Sequence, residues 1–137
     1  MYRGSERGFD VGRRYPQVDR RRSSLDDPLI VRFAQLMRDR YGADVYIFGS
    51  RARGTGRPDS DYDFVAVAPA FAEQRDLYRA LDRHRIWTEA GGYGIGLDLH
   101  CYTPEEFAME VDSLGYLGEA NERGELIRIP AGVQDAA

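Results

Sequence analysis

Two aspartates, Asp61 and Asp63, stand one residue apart at the start of the segment DYDFVAVAP, which has the pattern of a β-strand. Side chains at positions i and i+2 of a strand project from the same face of a sheet. Two carboxylates this close repel each other unless a cation lies between them, and such a pair suits Mg²⁺ together with phosphate oxygens and water. The alternative is that both aspartates belong to a turn after Pro58, where Asp is common.

A Gly-Ser pair follows the preceding strand, DVYIFG, and opens a short predicted helix, SRARG. Glycine lets a ligand approach the backbone closely, and the N–H groups at a helix start favour anions. The chain has no lysine, so arginines, backbone N–H groups or a metal must hold any phosphate. The predicted nucleotide-binding residues are Gly49, Ser50, Arg51, Arg53, Arg57 and Ser60.

A third carboxylate, Asp98, lies between Leu97 and Leu99 in the predicted strand GIGLDLHCY. Two apolar neighbours that face the core would turn Asp98 to the opposite face of the sheet. If this strand is next to the one that carries Asp61 and Asp63, the three carboxylates converge. Asp98 could then bind a metal and accept the proton of an attacking hydroxyl. The alternative is a solvent-facing strand aspartate. His100 lies on the same predicted face as Asp98 and could contact the site, but we interpret it as an ordinary strand histidine.

The composition fits one soluble domain of 137 residues with a single cysteine, Cys101. No apolar segment has the length of a membrane span, and the first residues lack the apolar region of a secretory signal. A lone cysteine is typical of the reducing cytoplasm, which is the expected location. We predict a flexible arm over residues 1–24, one folded domain over 25–130 and a frayed tail over 131–137.

The charges are unevenly distributed along the chain. Residues 1–24 hold seven arginines and three acidic residues, whereas residues 25–137 hold twelve arginines and twenty acidic residues. An acidic body argues against a large nucleic-acid-binding face, so any contact with nucleic acid is expected only through the arm.

The order of helical and strand patterns predicts an α/β (α+β) fold, a small mixed β-sheet flanked by helices. One helix is predicted to start at Asp26 or Asp27 and to end at Gly42. A second is predicted over FAEQRDLYRALDRHRIW, which starts at Phe71. A third follows Thr103, which has Pro104 and Glu106 in the positions of a capping box. A short helix over SLGYLGEANERG and a last strand, ELIRIP, complete the pattern.

The motif order resembles the nucleotidyltransferase superfamily typified by DNA polymerase β. It consists of Gly-Ser, ten residues, Asp-x-Asp, and a later strand with an aspartate between apolar residues. The segments GSRARGTGRPDSDYDFVAV, LDLHCYTPEEF and GYLGEANERGELI are similar to its small branch, the minimal nucleotidyltransferases. The resemblance covers roughly residues 28–130 and is most specific in the first segment.

The resemblance implies a polymerase β-like fold and a division of roles. Gly49 and Ser50 would bind the triphosphate of ATP, Asp61 and Asp63 would hold Mg²⁺, and Asp98 would be the third metal-binding and catalytic carboxylate. Members of this branch often act as antitoxins beside a HEPN-type RNase toxin, and some transfer AMP to a tyrosine of that toxin. A partner protein or a second copy is expected to supply much of the acceptor site.

Two other functions are kept open. One is a nucleotidyltransferase that modifies a small molecule such as an aminoglycoside, for which an acidic body suits a cationic substrate. The other is a non-catalytic antitoxin that neutralises its partner by binding, in which the aspartates would be dispensable.

Overall fold

The computed structural model describes residues 27–57, 60–74 and 76–130; the predicted arm over 1–24 and tail over 131–137 lie outside them. The described residues form five α-helices and four β-strands. In chain order these are α1 (Pro28–Tyr41), β1 (Asp44–Phe48), α2 (Gly49–Arg53), β2 (Tyr62–Val67), α3 (Asp76–Trp87), β3 (Leu97–Tyr102), α4 (Pro104–Val111), α5 (Tyr116–Glu122) and β4 (Ile127–Arg128). No helix among the described residues has both the length and the apolarity needed to cross a membrane.

The four strands form one mixed sheet in the order β3-β2-β1-β4. Strand β1 pairs antiparallel with β2 and β4, whereas β2 and β3 are parallel. A parallel pair requires a long crossover, and the segment with α3 supplies it. The predicted fold class, a small mixed sheet flanked by helices, is confirmed.

The two faces of the sheet bury cores of different size. The larger core packs α1 and the end of α3 on one face, around Phe33, Phe64 and Trp87. The Phe33 ring lies 4.9 Å from that of Phe64 and 5.2 Å from that of Trp87. The smaller core, on the opposite face, groups Phe48 and Val65 with Leu117 and Ala120 of α5. The strand residues alternate between these two cores, so polar residues that share a face with Phe48 lie beside the smaller one.

Helix α1 begins and ends where local signals predict. The Asp27 carboxylate accepts a hydrogen bond from the Leu29 N–H at 3.0 Å, and Pro28 occupies the first turn. Gly42 ends the helix with φ of 67°, a left-handed conformation that glycine adopts without strain. Asp27 also accepts a hydrogen bond from the Tyr62 hydroxyl at 2.7 Å, which ties the start of α1 to the start of β2.

The helix predicted from Phe71 is wrong in its first part. Residues Pro69–Glu73 form a 3₁₀ turn, Gln74 is extended with φ of −121° and ψ of 141°, and α3 begins at Asp76. Phe71 is fully buried and its ring lies 5.5 Å from that of Tyr41. The packing of Phe71 into the core therefore overrides the local helical pattern. The last strand is also shorter than the predicted segment ELIRIP, because β4 covers two residues.

Candidate active site

Asp63 and Asp98 face each other across the parallel strands β2 and β3. Their Cα atoms are partners in the strand register, and Phe48 of β1 is the partner of Asp63 on the other side. The row Phe48, Asp63 and Asp98 therefore crosses three strands on the face of the smaller core. The neighbouring strands that the sequence argument required for Asp98 to approach the aspartate pair are present.

The surroundings of Asp63 raise its pKa to about 6. Burial is the largest cause, followed by the charges of Asp98 and Asp61 and by a hydrogen bond with the Asp98 side chain. The charge of His100 acts in the opposite direction. A cation bound between Asp63 and Asp98 would relieve the repulsion between the two carboxylates.

Gly49 brings the backbone directly against Asp63. Gly49 has φ of 78°, and a Cβ atom added there would lie 2.3 Å from Asp63 Oδ2. Any other residue would displace the carboxylate, so glycine is required for both its conformation and its size. The turn that starts α2 and the carboxylate of β2 thus form one continuous surface. No side chain caps the start of α2, and Ser50 follows directly at this helix N-terminus.

Asp61 lies at the entrance to the same face, just before β2. It is exposed, and a Cβ atom added at Gly96 would lie 1.9 Å from Asp61 Oδ1. The Tyr62 N–H donates to the Gly96 carbonyl at 3.0 Å, which fixes this approach. The sequence interpretation did not single out Gly96. Its position directly before a strand with an aspartate was the signal that could have identified it.

The predicted arginines and Ser60 contact other parts of the protein, and Arg51, Arg57 and Ser60 do so within the loop between α2 and β2. The Arg51 guanidinium donates from Nη2 to the Ser60 carbonyl at 2.8 Å and lies 4.1 Å from the centre of the Tyr62 ring. Arg53 Nη1 is 3.6 Å from Glu125 Oε1. The Ser60 hydroxyl accepts from the Arg57 N–H at 2.8 Å, and the Arg57 side chain is exposed. Arg51 and Arg53 thus already have protein partners, and Gly49 is the predicted nucleotide-binding residue that contacts an aspartate.

His100 and Tyr116 extend the site beyond the predicted residues. His100 Nε2 lies 3.3 Å from Asp98 Oδ1, and the Tyr116 hydroxyl lies 2.8 Å from the same Nε2. Burial, then the charges of Asp98, Glu110 and Asp63, raise the pKa of Tyr116. The spacing of His100 from Asp98 placed both on one face, which was a usable signal. The sequence offered no signal for Tyr116, which comes from α5.

The carboxylates fit a divalent cation that is completed by its substrate. The side chains of the described residues form no group of three or more His, Cys, Asp and Glu that could hold a metal ion. Asp63 and Asp98 could supply two oxygens, and Asp61 lies close enough for its charge to act on Asp63. Two carboxylates suffice for Mg²⁺ when phosphate oxygens and water fill the other positions. The arrangement suits phosphoryl or nucleotidyl transfer, in which positioning and charge neutralisation are the main tasks.

Comparison with family models identifies the family of this chain. The family model of the nucleotidyltransferase domain matches residues 30–122, which include the Gly49 turn and strands β1 to β3. A crystal structure at 1.40 Å resolution, described as a candidate nucleotidyltransferase from Sulfolobus solfataricus, is 19% identical. The match covers 91% of this chain and 90% of that chain, with a TM-score of 0.44. No match was found among curated proteins. Because the family model spans more than half of the sequence, the chain belongs to the nucleotidyltransferase domain family.

Proposed function

We propose that this protein is a Mg²⁺-dependent nucleotidyltransferase that transfers AMP from ATP to a hydroxyl group. The acceptor we propose is a tyrosine of a partner HEPN-type RNase toxin, which the protein would silence as its antitoxin. The observation that carries the proposal is the Asp63–Asp98 pair beside the Gly49 turn. The resemblance to the minimal nucleotidyltransferases supports the choice of AMP and of a toxin as acceptor.

The two paired carboxylates differ in exposure, which suggests different tasks. Asp63 is half-buried against Gly49, whereas the Asp98 side chain is 54% exposed on the edge strand β3. In this proposal the turn at Gly49 and Ser50 binds the triphosphate, and Asp61, Asp63 and Asp98 would hold the cation. When bound, Mg²⁺ neutralises phosphate charge.

The reaction needs one bond formed, one bond broken and one proton removed. The acceptor oxygen forms a bond to the α-phosphorus of ATP, and the bond from that phosphorus to the pyrophosphate oxygen breaks. Asp98 is the exposed carboxylate that an incoming hydroxyl can reach, so we assign it as the proton acceptor. Pyrophosphate leaves and the acceptor carries the AMP group.

Three exposed apolar side chains support a protein as acceptor, and one of them, Tyr116, contacts the site. Leu114 is 99% exposed, Met109 is 74% exposed, and Tyr116, which contacts His100, is 53% exposed. They lie on α4, on α5 and on the loop between them. Exposed apolar side chains on neighbouring elements are typical of a surface that another protein covers.

The test combines the protein with the product of its adjacent gene, ATP and Mg²⁺, and measures the intact mass of the partner. We expect the partner to gain whole AMP units. The gain should be lost with Asp63→Asn or Asp98→Asn and kept with Asp39→Asn, an exposed aspartate on α1, which packs on the opposite face of the sheet. A tight complex without transfer would contradict the enzymatic proposal and favour neutralisation by binding. Transfer to an aminoglycoside instead would favour a small-molecule acceptor.

A further inference from the structure

Tyr116 places a hydroxyl of this chain at the edge of the catalytic group. Its oxygen lies 2.8 Å from His100 Nε2, which in turn lies 3.3 Å from Asp98 Oδ1. The hydroxyl is therefore within about two hydrogen-bond lengths of the proposed proton acceptor. An acceptor hydroxyl of a nucleotidyltransferase must occupy this neighbourhood for in-line attack.

Aromatic packing holds this hydroxyl in place. The Tyr116 ring lies 5.7 Å from the ring of Phe48, whose strand position is opposite Asp63. The His100 imidazole stacks on the Tyr102 ring at 6.3 Å, with an angle of 10° between the planes. Residue Phe48 is buried, so it provides a fixed platform for Tyr116. At the same time Tyr116 is 53% exposed, which leaves room for a group attached to its oxygen.

We propose that Tyr116 is a self-modification site, at which the protein attaches a nucleoside monophosphate to its own phenolic oxygen. The co-substrate is a nucleoside triphosphate such as ATP. Tyr116 Oη forms a bond to the α-phosphorus, the bond between that phosphorus and the pyrophosphate oxygen breaks, and pyrophosphate leaves. The phenolic proton passes to His100 Nε2, and the carboxylate of Asp98 stabilises the imidazolium that results. No oxidant or reductant is required.

The modification would occur when no external acceptor covers the site. The inference rests on the proposed nucleotidyl transfer, but it does not depend on the identity of the partner. A nucleotide on Tyr116 would occupy the space beside His100 and Asp98, so self-modified protein should modify a partner more slowly.

The experiment incubates the full-length protein alone with ATP and Mg²⁺ and measures its intact mass, followed by peptide fragmentation. We expect one AMP unit on the peptide that contains Tyr116. Tyr116→Phe keeps the ring that packs on Phe48 and should reduce labelling at least tenfold. Tyr93→Phe is the matched control, because Tyr93 is 84% exposed and would be labelled before Tyr116, which is 53% exposed, if exposure alone decided the site. Asp63→Asn should abolish labelling.

A mixing experiment tests whether transfer is intramolecular. The Asp63→Asn protein retains the Tyr116 hydroxyl but lacks the Asp63 carboxylate. The Tyr116→Phe protein retains the carboxylate but lacks the hydroxyl. A mixture of the two should stay unlabelled. Labelling of the Asp63→Asn chain by the Tyr116→Phe chain would overturn the intramolecular proposal.

The partner assay separates this inference from the proposed function. If the partner gains AMP but this protein does not, the Tyr116 proposal is overturned and the proposed function stands. Labelled Tyr116 with an unmodified partner would support the Tyr116 proposal and contradict the assigned acceptor. A label that survives in Tyr116→Phe would place the modification elsewhere and overturn the inference.

Discussion

At the scale of the residue, the raised pKa of Asp63 links the site to stability. The pKa is about 6 in the folded chain, above the ordinary value of 3.8, and burial is its main cause. A carboxyl whose pKa is raised by folding holds its proton more tightly in the folded state than in the unfolded state. The free energy of unfolding therefore falls as pH rises from about 4 to about 6, and the loss is complete above that range.

The substitution Asp63→Asn should stabilise the metal-free protein at pH 8. A shift of two pKa units corresponds to about 3 kcal/mol, which we halve because Asp63 is only half-buried, so the expected gain is about 1.5 kcal/mol. The gain should vanish below about pH 4, where both states are protonated. Urea denaturation in a chelating buffer at several pH values measures it. Asp112→Asn, which removes an exposed charge, should show no comparable gain. Equal stability of Asp63→Asn and wild type at pH 8 would contradict the argument.

Substitution of Gly49 can test the contact with Asp63 separately from the effect of backbone strain, because Gly94 provides a control with a similar φ. Gly49→Ala should lower the free energy of unfolding by about 2–4 kcal/mol and abolish transfer, because the new methyl group would displace the carboxylate. Gly94 has nearly the same φ, 80° against 78°, and has nothing within 4 Å of an added Cβ. Gly94→Ala should therefore lower the free energy of unfolding only through the strain of a positive φ, on the order of 1 kcal/mol, and should keep activity. If the two variants behave alike in stability and activity, the contact with Asp63 is unimportant.

At the scale of the element, the capping box sets where α4 begins. Thr103 Oγ1 accepts from the Glu106 N–H at 3.2 Å, and Glu106 Oε1 accepts from the Thr103 N–H at 2.8 Å. This helix carries Phe107, whose ring packs 4.8 Å from that of Tyr46, on the face of the sheet that carries Asp63 and Asp98. The cap thus helps to fix the helix that covers the sheet beside the site.

Removal of the hydroxyl in Thr103→Ala should cost about 1 kcal/mol of stability. Thr103→Ser keeps the acceptor oxygen and should recover most of that loss. The midpoint of chemical denaturation, at constant m-value, distinguishes the two. A serine variant as unstable as the alanine variant would attribute the effect to lost packing of the buried Thr103 methyl group instead of the cap.

Local sequence signals predicted the helix ends, whereas the features that were not predicted depend on long-range packing. The caps at Asp27 and Thr103 depend on residues two or three positions away, so a single sequence contains them. The 3₁₀ turn at Phe71 depends on Tyr41, thirty residues earlier, and no local pattern encodes that contact. The same reason explains the site. The alternation of apolar and polar residues predicts which face of its strand each of Asp63 and Asp98 occupies. The strand register that makes them partners, and the packing of α5 that brings Tyr116 to His100, are long-range and are not encoded in the local pattern.

At the scale of the whole molecule, the unequal cores leave one face of the sheet available for chemistry. The larger core, around Phe33 and Phe64, covers one face of the sheet. On the other face the smaller core around Phe48 leaves the edge strand β3 half exposed, with Asp98 near its start. Because β3 is an edge strand, an acceptor can approach Asp98 without opening the sheet.

Binding of Mg²⁺ and ATP together should stabilise the wild-type protein, whereas Asp63→Asn should be stabilised without ligand and gain little from it. A ligand at one hundred times its Kd adds about 2.7 kcal/mol, which for a domain of this size raises the Tm by on the order of 10 °C. ATP with a chelator should give a much smaller shift, since the carboxylates then face phosphate charge without a cation. Asp63→Asn should start from a higher Tm at pH 8 and show almost no shift with Mg²⁺ and ATP, whereas Asp112→Asn should shift like wild type. A full shift in Asp63→Asn, measured by differential scanning fluorimetry, would show that the nucleotide binds elsewhere on the molecule.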